Sequence, residues 1–314
     1  MILSLNNIPN NGKDWEALCI QCYQLKYKGE HFTPIPAAYL GDAGIEGFTS
    51  TGVVLQCYCP EGQYSDDELY EHQRDKMTID LGKLLNPKYA QKYAALGVPI
   101  ISEWHYMIPA YYDSRIIQHA ATKQRDIRNA INIDPDTYAY LSPDFSIYIK
   151  TFDSLKILIV QLLRGDLLDS KLSIQENSLP EITWEDCDSI KIESIRRKIK
   201  AVKPISSPEQ IEKTVSTFAE AYLAGLAVVE RLRVEYPQFY EELYQLQQTY
   251  AKIVDMKSAM ASDPKLNSQH FNEILTEFGG KLDEQFGYFS TTLRTELQKD
   301  LVSGWLADCS LEFA

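Results

Sequence analysis

The sequence predicts an α/β unit followed by an all-α unit, and three observations carry that division. Up to about residue 165, short β-branched and aromatic runs alternate with stretches of helical period, whereas beyond residue 205 only the helical period persists. Residues 175–208 hold Pro180, Pro204 and Pro208 without a sustained period, so they read as a linker. The remainder carries three apolar stripes at steps of three and four: Ile211 to Tyr236, Phe239 to Ile253, and Phe271 to Leu293. Long amphipathic helices with short connections predict an antiparallel bundle or coiled-coil arm. The expected boundaries are 1–174, 175–208 and 209–314.

Within the first unit the elements follow in order. Residues 13–28 place Trp15, Leu18, Cys22 and Leu25 on one helical face behind Asn11-Gly12. Extended segments near 44–50 and 52–59 meet at Ser50-Thr51-Gly52, a hairpin signal. Asp66-Asp67 opens a helix that Pro87 stops. A strand over 98–108, a helix over 113–130, a strand from Phe145 and a helix over 154–163 complete the set. The order, αβββαβ with an added αβα, predicts a mixed sheet flanked by helices.

Composition narrows the classes. A chain of 314 residues, 45% hydrophobic, is long enough for two cores. Met1-Ile2-Leu3-Ser4-Leu5 gives way at once to Asn6-Asn7 without the make-up of a signal peptide, and no stretch reaches the roughly 18 apolar residues of a membrane span, so a cytoplasmic, membrane-free protein is expected. Six cysteines in that setting predict reduced thiols, and Cys19, Cys22, Cys57 and Cys59 read as buried apolar residues ahead of a zinc set. His31, His72, His105, His119 and His270 form no metal-spaced pair. A net charge of −13 argues against holding nucleic acid by bulk basicity, although a local basic strip can still serve. Neither a P-loop, a Rossmann glycine run nor a nucleophile elbow is present.

The stretch that carries chemistry is Gly41-Asp42-Ala43-Gly44-Ile45-Glu46-Gly47, followed by Val53-Val54-Leu55-Gln56-Cys57-Tyr58. Strand alternation puts Gln56 and Tyr58 on one face and the cysteines on the other, with Glu46 on the neighbouring strand. This arrangement resembles the PD-(D/E)XK, restriction-endonuclease-like superfamily, in particular its Mrr-type branch, over roughly the first 110 residues. The resemblance implies a Mg²⁺-dependent (or Mn²⁺-dependent) DNA endonuclease, RNA not being excluded. It makes Asp42, Glu46 and Glu16 the metal ligands and Gln56 the residue that positions water or metal. It also implies an effector of bacterial restriction or anti-phage defence, acting as a homodimer or docked through the C-terminal helices to a regulatory sensor or ATPase subunit.

Two departures stand out. Glu46 replaces aspartate, which is mild, because either carboxylate binds Mg²⁺ at ~2.1 Å. Tyr58 stands where the family carries its lysine, and that cation offsets phosphate charge. The helix at 70–84 offers two substitutes, Arg74 in the apolar stripe of Tyr70, Met77, Leu81 and Leu84, and Lys76 farther round, with Asp80 as a solvated i, i+4 partner of Lys76. A basic run, Arg196, Arg197, Lys198, Lys200 and Lys203, is a candidate track for a nucleic-acid backbone, or else a face that pairs with the acidic bundle. Lys123 and Arg125 are weaker phosphate candidates. The alternative readings are an inactive nuclease-fold module that binds DNA or a partner protein, which Tyr58 favours, and a scaffold whose helical arm is the function.

Overall fold

The computed structural model describes residues 3–4, 11–36, 43–168, 171–173, 183–308 and 311–314. The chain divides into two compact units, one running to Asp169 and one from Ser170 onward; the short strand β1 (Leu3–Ser4) belongs to the second.

The first unit opens with α1 (Gly12–Lys26), which starts where the Asn11 side chain accepts a hydrogen bond from the Asp14 amide at 2.9 Å. Three strands follow as an antiparallel meander, β2 (Thr33–Pro34), β3 (Gly47–Phe48) and β4 (Val53–Cys57). Helix α2 (Asp66–Leu84) begins in a capping box between Ser65 and Glu68 and carries the chain over to β5 (Ile101–Met107), which lies parallel to β4. The short helix α3 (Ala90–Leu96) sits in that connection. Helix α4 (Arg115–Ile133) leads to β6 (Leu141–Lys150), parallel to β5, and α5 (Lys156–Arg164) ends the unit. The sheet order is β2-β3-β4-β5-β6, a five-stranded mixed sheet with flanking helices.

Two differences from the expected elements have physical causes. Strand β6 starts four residues before Phe145 and contains Pro143; it is the sheet's edge strand, where a missing N–H is tolerated. Helix α3 is only seven residues long, too short to show a period.

The main core of this unit joins Met77, Leu81 and Leu84 of α2 to Val54, Trp104 and Tyr106 of the sheet and to Ile116, Ile127 and Ile131 of α4. Helix α1 packs on β4 and buries Trp15, Leu18, Cys19 and Cys22, and the Trp15 indole N–H donates to the Met107 carbonyl at 3.0 Å.

In the second unit β1 pairs in parallel with β7 (Leu172–Ser173), and among the described residues five α-helices follow: α6 (Ser189–Val202), α7 (Pro208–Glu235), α8 (Pro237–Met260), α9 (Asn267–Gln285) and α10 (Thr291–Ala307). Helix α7 packs against α6, α8 and α10. The stretch expected as linker therefore contains a packed helix. Ile192, Ile195, Ile199 and Val202 make its buried stripe, and the charges between them masked the period. The third apolar stripe divides as well, because Ser290 caps α10 and separates it from α9.

Candidate functional site

The hairpin register places Glu46 opposite Gln56, since Gly47 pairs with Leu55 and the Glu46 amide donates to the Leu55 carbonyl at 2.7 Å. Gln56 donates through Nε2 to Glu46 Oε1 at 2.9 Å, and the Cys57 amide donates to Glu46 Oε2 at 2.8 Å. Both side chains are buried. Because Nε2 faces the carboxylate, the amide oxygen is turned the other way. Gln56 Oε1 is shut off from water and has no hydrogen-bond partner among the described residues.

Burial pushes the Glu46 carboxyl up to about 8, against the lowering effect of the Cys57 thiol and amide; the charge of Glu16 raises it further and that of Lys76 lowers it. Glu16, half-buried on α1, and Lys76 on α2 therefore both act on the carboxylate presented by the hairpin.

Lys76 is itself held. Its Nζ lies 2.8 Å from Asp80 Oδ2, and Lys83 Nζ lies 3.0 Å from Asp80 Oδ1. Asp80 is fully buried, not solvated as its i, i+4 spacing suggested, and two ammonium groups compensate it. The turn before Glu46 packs directly over this group. Gly44 adopts φ +83°, and a Cβ there would come within 2.5 Å of the Asp80 carbonyl oxygen. Tyr93 Oη donates to the Ala43 carbonyl at 2.6 Å and Trp104 Nε1 to that of Gly44 at 3.1 Å, so the turn is pinned from two sides. Asp42 lies outside the described residues.

Arg74 goes elsewhere. It lies outside the buried stripe of α2, its Nε donates to Asp75 Oδ1 at 2.8 Å, and its guanidinium sits 5.5 Å from the centre of the Tyr70 ring. The buried neighbour at that turn is Gln73, whose amide donates to the Ala110 carbonyl at 2.7 Å. Tyr58 is partly buried against the core, and burial raises its phenol above the usual range and keeps it neutral; a phenol has no cationic form to stand in for the lysine.

Cys19, Cys22, Cys57 and Cys59 are buried thiols outside any disulfide, and Cys19 and Cys57 are hydrogen-bonded to each other. His105 is a core histidine, bonded through Nδ1 to Tyr23 Oη at 2.8 Å and through Nε2 to Glu103 at 2.9 Å; burial holds it down at about 4. Among the described residues no three His, Cys, Asp or Glu side chains converge as a metal site.

Three members of the basic run turn to partners within the same unit. Arg196 pairs with Glu212 at 2.7 Å and also with Glu193, while Arg197 reaches both oxygens of Glu312 at 2.6 and 2.7 Å. Lys198 is buried and donates to the carbonyls of Trp305 and Leu306 at 3.2 and 2.8 Å. Those carbonyls belong to the last turn of α10, where a helix leaves its acceptors unsatisfied. Arg196, Arg197 and Lys198 are thus engaged within the unit, and Lys200 points to solvent. Lys123 is half-buried and Arg125 exposed on α4.

The residues missed from the sequence are Asp80 as a buried anion and Lys83 as its second cation. The spacing of Lys76, Asp80 and Lys83 was the available signal, since it sets both ammonium groups one turn from the same carboxylate. Set against protein-family models, curated proteins and solved structures, the chain matches none.

Proposed function

We propose that the first unit is a nuclease-type domain that hydrolyses phosphodiester bonds in DNA with Mg²⁺ or Mn²⁺, centred on Glu46 and Gln56. One observation carries this reading: a buried amide oxygen, Gln56 Oε1, without a partner among the described residues and adjoining a buried carboxylate. A hard cation takes oxygen donors; turning the Gln56 amide over would set Oε1 beside the Glu46 carboxylate, on which the charge of Glu16 also acts, and that set of oxygens suits such an ion. Asp42 is the further ligand that the resemblance to the PD-(D/E)XK superfamily implies. When bound, the ion supplies Lewis acidity toward the phosphate and a more acidic water.

The chain's own groups divide the remaining work. Gln56 fixes Glu46 in orientation. In this reading Lys76, whose charge acts on Glu46, stands in for the family's lysine, and its ion pair with Asp80 holds the ammonium. Arg74, engaged with Asp75, has no part in this reading. The helical unit is the assembly part, holding a second copy or a sensor or ATPase subunit.

Glu46→Ala is expected to abolish Mg²⁺-dependent degradation of plasmid DNA while the thermal unfolding transition persists. Undiminished cleavage by that variant would remove the assignment.

A second reading, an inactive module that binds DNA or a partner, is favoured by Tyr58 at the lysine position and by the engagement of both Glu46 oxygens by protein donors. It predicts DNA binding that is indifferent to Mg²⁺ and to Glu46→Ala. The same two experiments separate the readings, and RNA as the cleaved strand would be scored in parallel.

A further inference from the structure

The second unit carries a cleft that the nuclease reading does not use. It measures about 790 Å³, in the range of small-molecule sites. Lys203, Lys213 and Lys265 line it, brought together from three elements: the residue following α6, the second turn of α7, and the turn Pro264–Leu266 that precedes α9. Among the described residues no aspartate or glutamate lines it.

This is unusual in a chain with 44 acidic and 31 basic residues. Elsewhere in the same unit, basic side chains such as Arg196, Arg197, Arg231, Arg233 and Lys257 have carboxylate partners. The three cleft lysines have no ion pair among the described residues. Three ammonium groups around one concavity repel one another, and an anion between them reverses the sign of that interaction.

The cleft also has an apolar part. Val202 and Pro264 contribute to the wall, and Ile205 stands beside them 98% exposed. A flat apolar ring laid against Ile205 would cover a side chain that nothing else in the described structure covers. Charge on one side and apolar surface on the other call for a ligand with both.

We propose that this cleft binds a nucleoside polyphosphate, the phosphate chain between Lys203, Lys213 and Lys265 and the base against Val202, Ile205 and Pro264. It is a binding site without hydrolysis, in keeping with the missing P-loop. The inference is independent of the metal site in the first unit.

The test is calorimetric titration of the full chain with ATP in EDTA, so that no divalent ion occupies the first unit. Inorganic triphosphate and a single-stranded oligonucleotide serve as the comparison probes. ATP is expected to bind saturably at one site, Lys213→Gln to weaken it at least tenfold, and the triple Lys203→Gln, Lys213→Gln, Lys265→Gln variant to abolish it. Ile205→Ser is expected to weaken ATP severalfold and leave inorganic triphosphate unchanged. The lysines make no ion pairs among the described residues, so these variants should fold, and circular dichroism checks this; should the triple variant unfold, Lys213→Gln carries the decision. Absence of ATP binding, or equal affinity in wild type and Lys213→Gln, would overturn the proposal. So would triphosphate binding as tightly as ATP, or the oligonucleotide binding more tightly than ATP through the same lysines.

Discussion

Asp300 on α10 is a buried acid facing α7, and replacing it with asparagine gives a pH-dependent prediction. The side chain is 4% exposed, its Oδ1 has no hydrogen-bond partner among the described residues, and the Lys299 ammonium stands 3.7 Å away. Gly225 of α7 packs so closely that a Cβ there would lie 2.8 Å from that of Asp300. Burial pushes the carboxyl up from 3.8 to about 7. The native state therefore keeps a proton that the unfolded chain releases, and stability falls as pH rises from about 4 to about 7, then levels. A rise of roughly three pH units at about 1.36 kcal/mol each gives about 4 kcal/mol, a large share of the ~5–15 kcal/mol typical of folded proteins.

An asparagine side chain at this position cannot ionise and keeps the shape. Asp300→Asn should thus match wild type near pH 4 and exceed it by about 4 kcal/mol at pH 8. With a urea slope of ~3 kcal/mol/M, that is a midpoint difference of roughly 1.3 M. Urea unfolding of both proteins at pH 4 and pH 8 measures it, and the difference between them cancels every titration they share. A difference that stays the same at the two pH values would refute the argument.

Other predictions follow from single contacts. Lys198→Ala takes the buried ammonium from the last turn of α10, where the Ser194 hydroxyl and the Leu311 amide still donate, and should destabilise the chain by about 1–3 kcal/mol, read as a fall in the thermal midpoint; Lys198→Arg should recover part of it. Gly44→Ala meets both a positive φ and the Asp80 carbonyl, so it should lower stability by more than ~1 kcal/mol and reduce nuclease activity by displacing Glu46. Lys76→Met leaves Asp80 with Lys83 alone and removes the α2 cation that acts on Glu46; cleavage should fall at least about a hundredfold while a folded signal remains, and unchanged cleavage would exclude Lys76.

The first unit was legible where period and punctuation agreed. Asp66-Asp67 and the turn at Ser50-Thr51-Gly52 mark the start of α2 and the hairpin, and side-chain alternation along the strand put Gln56 on one face with Glu46 on the neighbouring strand, which the register then set opposite it. What depended on rotation about a helix axis was harder. Arg74 lies one residue from the buried Gln73, about 100° round the helix, and that step decides whether a charge turns inward or out. Asp80 reads as a surface partner of Lys76 until the Gly44 turn is laid over it, a contact between segments far apart in sequence that local pattern does not encode. On α6, a stripe of isoleucines was interleaved with basic residues, and charge hid a helix whose Lys198 turns inward to cap α10.

The central claim is that Glu46 and Gln56 receive a divalent ion. Anomalous diffraction from crystals soaked in Mn²⁺ tests it most directly. The account predicts a peak at the Glu46 carboxylate, with the Gln56 amide turned over so that Oε1 in place of Nε2 faces the ion, and predicts that this peak is lost in Glu46→Ala crystals. A soaked crystal with no peak there, and with Gln56 Oε1 still unpartnered, would contradict it.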